Sequence, residues 1–370
     1  MSSNRTDAAA QRFVPLTIVE RRALTDDAIA IRFAIPPADA AAFRFEHGQY
    51  LTLRATIDGA EVRRSYSICS PAGEARPMIG IRRVDGGKFS EFAHRSFAVG
   101  ATVDAAPPGG EFTVPLAPDR ARSYLCIAAG SGITPILSIV ATVLAEEPRA
   151  RVTLLYGNRR TNTMMFREEL CALKNAHLER FQWINVMSRE RQEADVLNGR
   201  IDNRKGAELN KRLIHIRSFD EFFLCGPEAM ISEVSRGLRR EGIDPAHIRY
   251  ELFRASAQDA RAVIERHAAR ARQYAGNVSD VRVRAGGREV AFELATDGEN
   301  VLDAALDAGL DVPYSCKGGV CATCKAKLVD GEVDMDLNRA LSAADLRAGY
   351  VLTCQAHPLT ARVVLDYDAV

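Results

Sequence analysis

A chain of 370 residues, 47% hydrophobic and with a net charge of +1, is long enough for two or three domains that each bury a core. So balanced a charge argues against a nucleic-acid binder. No basic stretch followed by an apolar one opens the sequence, so no export signal is expected, and the unpaired cysteines suit a reducing, cytoplasmic setting.

Residues 13–117 read as β-rich. Alternating runs such as Tyr50-Leu51-Thr52-Leu53-Arg54 and Arg64-Ser65-Tyr66-Ser67-Ile68 are separated by turns at Asp58-Gly59, Pro71-Ala72-Gly73 and Pro107-Pro108-Gly109-Gly110. A small barrel is the economical architecture. Within it, Arg64 beside Tyr66 and Ser67 can hold a pyrophosphate while the ring lies on a planar heterocycle. Downstream, Gly86 and Gly87 open a helix that continues through Lys88, Phe89 and Ser90, giving free N–H groups and a positive dipole end for phosphate. Arg82 and Arg83 add charge nearby. Each feature is commonplace alone; their order is what carries information.

Residues 118–254 switch to strand–helix alternation. Leu125–Ala129, Val152–Tyr156 and Phe222–Cys225 are buried-strand runs, which predicts a parallel α/β sheet. Tyr124 to Ala145 runs 22 residues without a charge, the length of a membrane span. Gly130-Ser131-Gly132 and Pro135 interrupt it, so a strand, a glycine turn and a helix are expected instead, and no membrane. That turn, ending in Thr134, can cradle a dinucleotide phosphate. It is not the G-x-G-x-x-G fingerprint, and plain packing is its other explanation. Cys225-Gly226-Pro227 ends a later strand, where such sheets collect ligands. Arg159 and Ser188-Arg189 follow two other apolar runs, and exposed arginines are the simple alternative there. Guanidinium and hydroxyl groups suit a 2′-phosphate, and no acidic residue is evident for a free 2′-hydroxyl, so NADPH is the expected donor.

Residues 255–278 are rich in Ala and Arg and predict a linker, partly helical. In residues 279–370, Cys316, Cys321, Cys324 and Cys354 form C-x4-C-x2-C-x29-C. That spacing matches the plant-type [2Fe–2S] ligand run. Lys317-Gly318-Gly319-Val320 supplies small residues where backbone must wrap a cluster. A zinc site or four ordinary buried thiols are the alternatives, although structural zinc usually takes paired knuckles and Cys354 stands alone. The module holds nine Lys and Arg against fifteen Asp and Glu, which suggests docking on a basic surface.

Arg64-x-Tyr66-Ser67, Gly86-Gly87-x-Phe89-Ser90, Gly130-Ser131-Gly132-Ile133-Thr134-Pro135 and Cys225-Gly226-Pro227, in that order, resemble the ferredoxin–NADP reductase superfamily. With the C-terminal cysteine run the chain is similar to oxygenase reductases ordered flavin, nicotinamide, iron–sulfur. Tyr156-Gly157-Asn158-Arg159, Met164-Met165-Phe166, the cluster loop and Gly349–Ala356 are similar to the reductase subunits of phenylacetyl-CoA epoxidases. The resemblance implies a β-barrel flavin domain over 13–117, an α/β nicotinamide domain over 118–254, a linker over 255–278 and an α+β ferredoxin-like β-grasp domain over 279–370.

It also implies roles. Tyr66 would stack on the isoalloxazine and Ser67 would bond near its reactive nitrogen. Arg64 and the Gly87–Ser90 helix start would hold FAD, which this glycine run favours over FMN. Thr134 and Cys225 would place the nicotinamide. Glu251 and Phe253 match a run beside the flavin, where a charged surface residue and a core aromatic are the plain alternative. The implied route runs from NADPH through FAD and a [2Fe–2S] cluster, at roughly −400 mV for the plant type, to diiron oxygenase subunits of a phenylacetyl-CoA epoxidase complex. Another diiron or Rieske oxygenase, a hybrid-cluster enzyme, and more remotely an iron–sulfur sensor are the alternatives.

Overall fold

The computed structural model describes residues 12–253 and 257–370, and two compact units divide it, Val14–Leu252 and one built on Phe253–Val370. Within the first, β1 (Val14–Thr25), β2 (Ala28–Ala34), β3 (Tyr50–Ile57), β4 (Ala60–Ser67), β5 (Met78–Arg82) and β6 (Thr102–Ala105) form an antiparallel sheet in the order β4-β3-β6-β1-β2-β5, with α1 (Lys88–Ser96) between β5 and β6. A bridge between Ile68 and Ile79 joins the two ends, so the sheet closes into a barrel. β1 shows the cause of the strand pattern. Val14, Leu16 and Ile18 point inward and Pro15 and Thr17 outward, at the two-residue period of a pleated strand. The turn at Asp58-Gly59 has positive φ at both residues, +52° and +79°, the geometry that suits a two-residue hairpin.

The same unit continues with β7 (Ser123–Ala129), α2 (Ile133–Glu146), β8 (Arg151–Asn158), α3 (Arg167–Ala176), β9 (Phe181–Met187), α4 (Asn203–Arg212), β10 (Glu221–Cys225), α5 (Glu228–Arg240) and β11 (Ile248–Glu251). Its five strands are all parallel, ordered β11-β10-β7-β8-β9. The uncharged run is β7, a glycine turn and α2. α2 is apolar on every side as far as Leu144 because that stretch is almost wholly covered. One face lies on the parallel sheet; the other meets the barrel, where Ala72 N–H donates to Thr142 Oγ1 at 2.9 Å. One continuous core therefore runs from Ala28, Ala30 and Met78 of the barrel through α2 into β7, β8 and β10. Each fully buried Leu or Ile in it contributes roughly 1.5–3 kcal/mol.

The second unit holds α6 (Ala257–Gln273), β12 (Val278–Ala285), β13 (Arg288–Ala295), α7 (Val301–Asp307), β14 (Lys325–Asp330), β15 (Val333–Met335), α8 (Ala343–Arg347), β16 (Tyr350–Leu352), β17 (Ala356–Pro358) and β18 (Arg362–Asp366). β12 pairs parallel with β18 at the centre of a sheet ordered β13-β12-β18-β14-β16, a β-grasp arrangement with α7 packed on it. Part of the segment expected as a linker is thus a helix; residues 255–256 lie outside the described residues. α6 is anchored at both ends. Arg339 pairs with Asp259 at 2.6 Å, and Arg270 with Asp334 and Asp336 at 2.8 Å each. Among the described residues no helix is long and apolar enough to cross a membrane.

Candidate active site and cluster loop

The C-terminal ends of the parallel strands converge on the barrel. Cys225, the last residue of β10, lies opposite both Ala128 of β7 and Glu251 of β11. Ser67 at the end of β4 is buried and donates its hydroxyl to Glu251 Oε2 at 2.9 Å. Ser67, Glu251 and Cys225 therefore form one group. Burial, opposed only by that bond, pushes the Glu251 carboxyl up to about 7. Burial also raises the Cys225 thiol, with the Glu251 charge adding to it. Phe253, just past β11, is 39% exposed.

Gly132 explains why the turn after β7 is glycine. A Cβ there would stand 2.1 Å from the Cys225 carbonyl oxygen, so only a bare backbone lets the turn meet the end of β10. A side chain on Gly226 would strike Met230 at 2.7 Å, and Pro227 caps α5. Thr134 is buried, its hydroxyl on Ser131 O and its methyl against Gly80 of β5. Gly130 takes the left-handed conformation, φ +55°, and its carbonyl accepts from Tyr156 Oη at 3.0 Å.

On the barrel side, Tyr66 and Phe89 rings approach to 5.8 Å, so α1 rests against β4. Arg64 is exposed and folds back to its own strand, donating to Arg63 O at 2.7 Å. Gly87 caps α1 and Lys88 is exposed. Ser90 Oγ is used within the turn, accepting from Val84 N and donating to Gly87 O, both at 3.1 Å. Arg82 is held by Asp27 at 2.7 Å.

Arg159 and Arg189 follow adjacent strands. Arg189 N–H donates to Arg159 O, and neither side chain has a partner among the described residues. Ser188 Oγ is half-buried on Asn158 O. Sequence reasoning misses an acid here. Glu190 stands next to Arg189, and Thr161 occupies its carboxylate through its N–H at 2.8 Å and its hydroxyl at 2.5 Å.

The cluster loop, between α7 and β14, is built on left-handed residues: Lys317, Gly319 and Ala322 have φ of +50°, +70° and +55°. Two of these are not glycine, a strain found where backbone is bent for function. Cys354 lies across the fold in the turn before β17, tied back because Thr353 N–H and Oγ1 both donate to Cys324 O. The four thiols stand two by two, Cys316 with Cys321 and Cys324 with Cys354, each pair within hydrogen-bonding reach. N–H groups of Gly318, Val320 and Cys321 reach Cys316, and that of Gly319 reaches Cys354. The Cys321 contact and these N–H groups lower the Cys316 thiol to about 6 against burial. Two pairs suit two irons, whereas one zinc would draw all four sulfurs to a single centre.

Known proteins align along as much as 96% of the chain. Residues 15–114 match the oxidoreductase FAD-binding domain, 126–236 the oxidoreductase NAD-binding domain and 283–359 the 2Fe-2S iron-sulfur cluster binding domain. One component of the 1,2-phenylacetyl-CoA epoxidase of Escherichia coli (strain K12) is 42% identical over 357 residues, 96% of this chain and 98% of that one. The chain belongs to the ferredoxin–NADP reductase superfamily, in the branch with a C-terminal [2Fe–2S] domain. The ferredoxin reductase component of 3-ketosteroid-9-alpha-monooxygenase from Rhodococcus rhodochrous is 30% identical over 96% of the chain and 97% of its own length. Phthalate dioxygenase reductase, a modular structure for electron transfer from pyridine nucleotides to [2Fe–2S], shares the fold with a TM-score of 0.58 at 24% identity, over 96% of this chain and 98% of that one. This reductase is an oxidoreductase that carries electrons from NAD(P)H through FAD to a [2Fe–2S] cluster.

The raised Glu251 carboxyl makes a pH prediction. Its pKa lies above the ordinary value near 4.5, so its ionisation opposes folding. That cost is absent at pH 4 and complete above pH 7, on the order of 2 kcal/mol after allowance for solvent. Glu251→Gln keeps the acceptor for Ser67 and should therefore exceed the wild type in stability at pH 8 but not at pH 4. Denaturant unfolding at both pH values checks this, and an equal difference at both would count against a buried, raised carboxyl.

Proposed function

We propose that this reductase draws electrons from NADPH and delivers them to the diiron oxygenase subunits of a phenylacetyl-CoA epoxidase. The observation that carries this reading is the 42% identity with the Escherichia coli epoxidase component, which runs on through the cluster domain that a partner would meet. The reductase components of the 3-ketosteroid and glycine betaine monooxygenases support an oxygenase as the acceptor in general. In this reading Tyr66 covers the flavin ring, Ser67 and Glu251 lie at its reactive edge, and Arg64 with the Gly87–Ser90 helix start holds the FAD diphosphate. Thr134 and Cys225 place the nicotinamide, and Phe253 lies on the flavin side. Gly130, Gly132, Gly226 and Pro227 shape the floor beneath the nucleotide. Cys316 and Cys321 hold one iron, Cys324 and Cys354 the other. Flavin takes up a hydride and yields electrons singly, which lets a two-electron donor serve a one-electron cluster.

NADPH is preferred in this reading because Arg159 and Arg189, at adjacent strand ends, have no side-chain partner among the described residues, while Thr161 engages Glu190. Arg189→Ala should raise the apparent KM for NADPH about tenfold, the weight of one charge-assisted contact, and leave NADH within about twofold. Equal changes for both nucleotides would refute the assignment.

Reconstitution tests the partner. This protein, NADPH, oxygen and the oxygenase subunits should consume phenylacetyl-CoA with coupled NADPH oxidation. Turnover should weaken as salt screens an acidic domain from a basic patch. Absence of turnover, with an intact cluster and active partner subunits, would redirect the search to other oxygenases.

A further inference from the structure

The stretch between β15 and α8 lies against both parts of the cysteine set. Asp336 N–H donates to Gln355 O at 2.9 Å, one residue past Cys354. Arg339 N–H donates to Gly319 O at 2.9 Å, inside the loop that carries Cys316 and Cys321. The same stretch crowds Gly319, which has a φ of +70°, since a Cβ there would stand 2.7 Å from Leu337 O. Residues 336–339 thus form a strap over the loop, and α6 holds the strap at both ends. Arg270 grips Asp336 at 2.8 Å, while Asp259 Oδ1 accepts from Nε and Nη2 of Arg339 at 3.2 and 2.6 Å. Asp259 is buried, at 3% exposure, so its side of that contact is shielded from water.

The peptide joining Gly319 to Val320 is where the strap meets the sulfurs. A trans peptide is planar, and its C=O and N–H point in opposite directions. Arg339 fixes the carbonyl side. On the other side the Val320 N–H reaches Cys316, and the preceding N–H, that of Gly319, reaches Cys354. One held carbonyl therefore sets the direction of donors to two cysteines.

We infer that Asp259 is a positioning residue for the cluster: through Arg339 it holds the peptide after Gly319 so that the N–H groups beside it stay aimed at the sulfurs of Cys316 and Cys354. The inference rests on the reading above that these cysteines are ligands. Reduction adds a negative charge to the centre, and N–H groups directed at its sulfurs stabilise that charge, so such bonds raise the potential. The ion pair thereby makes the cluster a better acceptor for the electrons that flavin yields singly. α6 follows β11 in the chain, so the segment that leads from the nucleotide module into the cluster module also tunes the centre.

The test is a redox titration of the holoprotein followed by the paramagnetic signal of the reduced cluster. Asp259→Ala and Arg339→Ala should each lower the ratio of reduced to oxidised cluster at a fixed potential about fivefold, or roughly 40 mV for a one-electron centre, at full flavin content. The double variant should also stand about fivefold below the wild type, because both single changes break one contact. Arg339→Lys keeps a cation for Asp259 and should restore most of the wild-type ratio. Direction separates positioning from charge. Were the pair to act only through its fields, loss of the acid would raise the potential and loss of the base would lower it. Opposite shifts would therefore overturn the inference, as would unchanged potentials in both variants. Asp259→Asn preserves the shape of the side chain and weakens the contact, and it decides the matter where Asp259→Ala folds poorly. Its ratio should fall about twofold, and a rise or no change would count against positioning. Cys316→Ser is the control. If it abolishes the cluster spectrum while the other variants keep the wild-type potential, only this inference fails. If its spectrum stays normal, the ligand reading fails as well.

Discussion

Cys324→Ser should remove the visible and paramagnetic signatures of a [2Fe–2S] centre and cut electron delivery through the cluster to cytochrome c by roughly a hundredfold or more, while NADPH still reduces the flavin and the flavin still reduces ferricyanide. Loss of residues that merely support a metal ligand costs about 10–100-fold, and loss of a ligand should exceed that. Cys324 is 3% exposed, stands with Cys354, and its carbonyl is the point to which Thr353 is tied. Serine oxygen is a harder and more basic ligand than sulfur and leaves the second iron with one thiolate. Flavin reduction survives because Val14–Leu252 has hydrophobic cores of its own. The second unit should lose stability, since cluster binding and folding are coupled. Iron and labile sulfide assays, with ferricyanide and cytochrome c as contrasting acceptors, check all three parts. A normal cluster spectrum in the variant would remove Cys324 from the ligand set.

What is legible in the sequence is whatever a local pattern encodes. The runs Tyr50–Arg54 and Arg64–Ile68 give strands; a glycine turn inside an uncharged run gives β7 and α2; four cysteines at plant-type spacing give the cluster loop. The contacts that stay hidden join residues far apart in the chain. Ser67 meets Glu251 across 184 positions, and Asp27 holds Arg82 across 55. No periodicity encodes such pairs. Glu190 is locally visible, beside Arg189, but its engagement by Thr161 needs the fold. Gly132 reads in sequence as either a phosphate-binding or a packing residue, and the fold supplies the packing reason, since a Cβ there would stand 2.1 Å from Cys225 O.

The segment 255–278 illustrates the same limit. Its composition offers few large apolar groups, so a core-based reading finds a linker. α6 is instead fastened by charge, through Asp259–Arg339 and Arg270 with Asp334 and Asp336. Arg339 also donates its N–H to Gly319 O, so one anchor of α6 lies on the cluster loop itself. Part of the acidic excess counted in the sequence is therefore already matched by α6. The acids left for a partner are fewer than that count implies.

Glu147→Ala should be the most destabilising single change in the first unit, by about 3–5 kcal/mol, because it strands a buried cation. Glu147, just past α2, is fully buried. Its carboxylate accepts from Arg122, from Tyr124 Oη at 2.8 Å and from Ala117 N–H at 2.8 Å, while Arg122 also donates to Pro115 O at 2.9 Å. Residues 115–117 are the stretch that leads from the barrel to β7, so this one carboxylate fastens that connection to α2. Burial alone would raise it, but Arg122, Ala117 and Tyr124 hold it below the usual range. A lowered carboxyl stabilises the fold above its ordinary pKa near 4.5, and that contribution fades as pH falls further. For a unit of this size the loss at pH 7 corresponds to a fall in Tm of about 10 °C, read from flavin release on heating. Removing both partners should be far milder. Arg122→Met with Glu147→Leu leaves no charge uncompensated and should recover most of the lost stability. A double variant as weak as Glu147→Ala would mean that the bonds to Ala117 and Tyr124, not the stranded Arg122, set the cost.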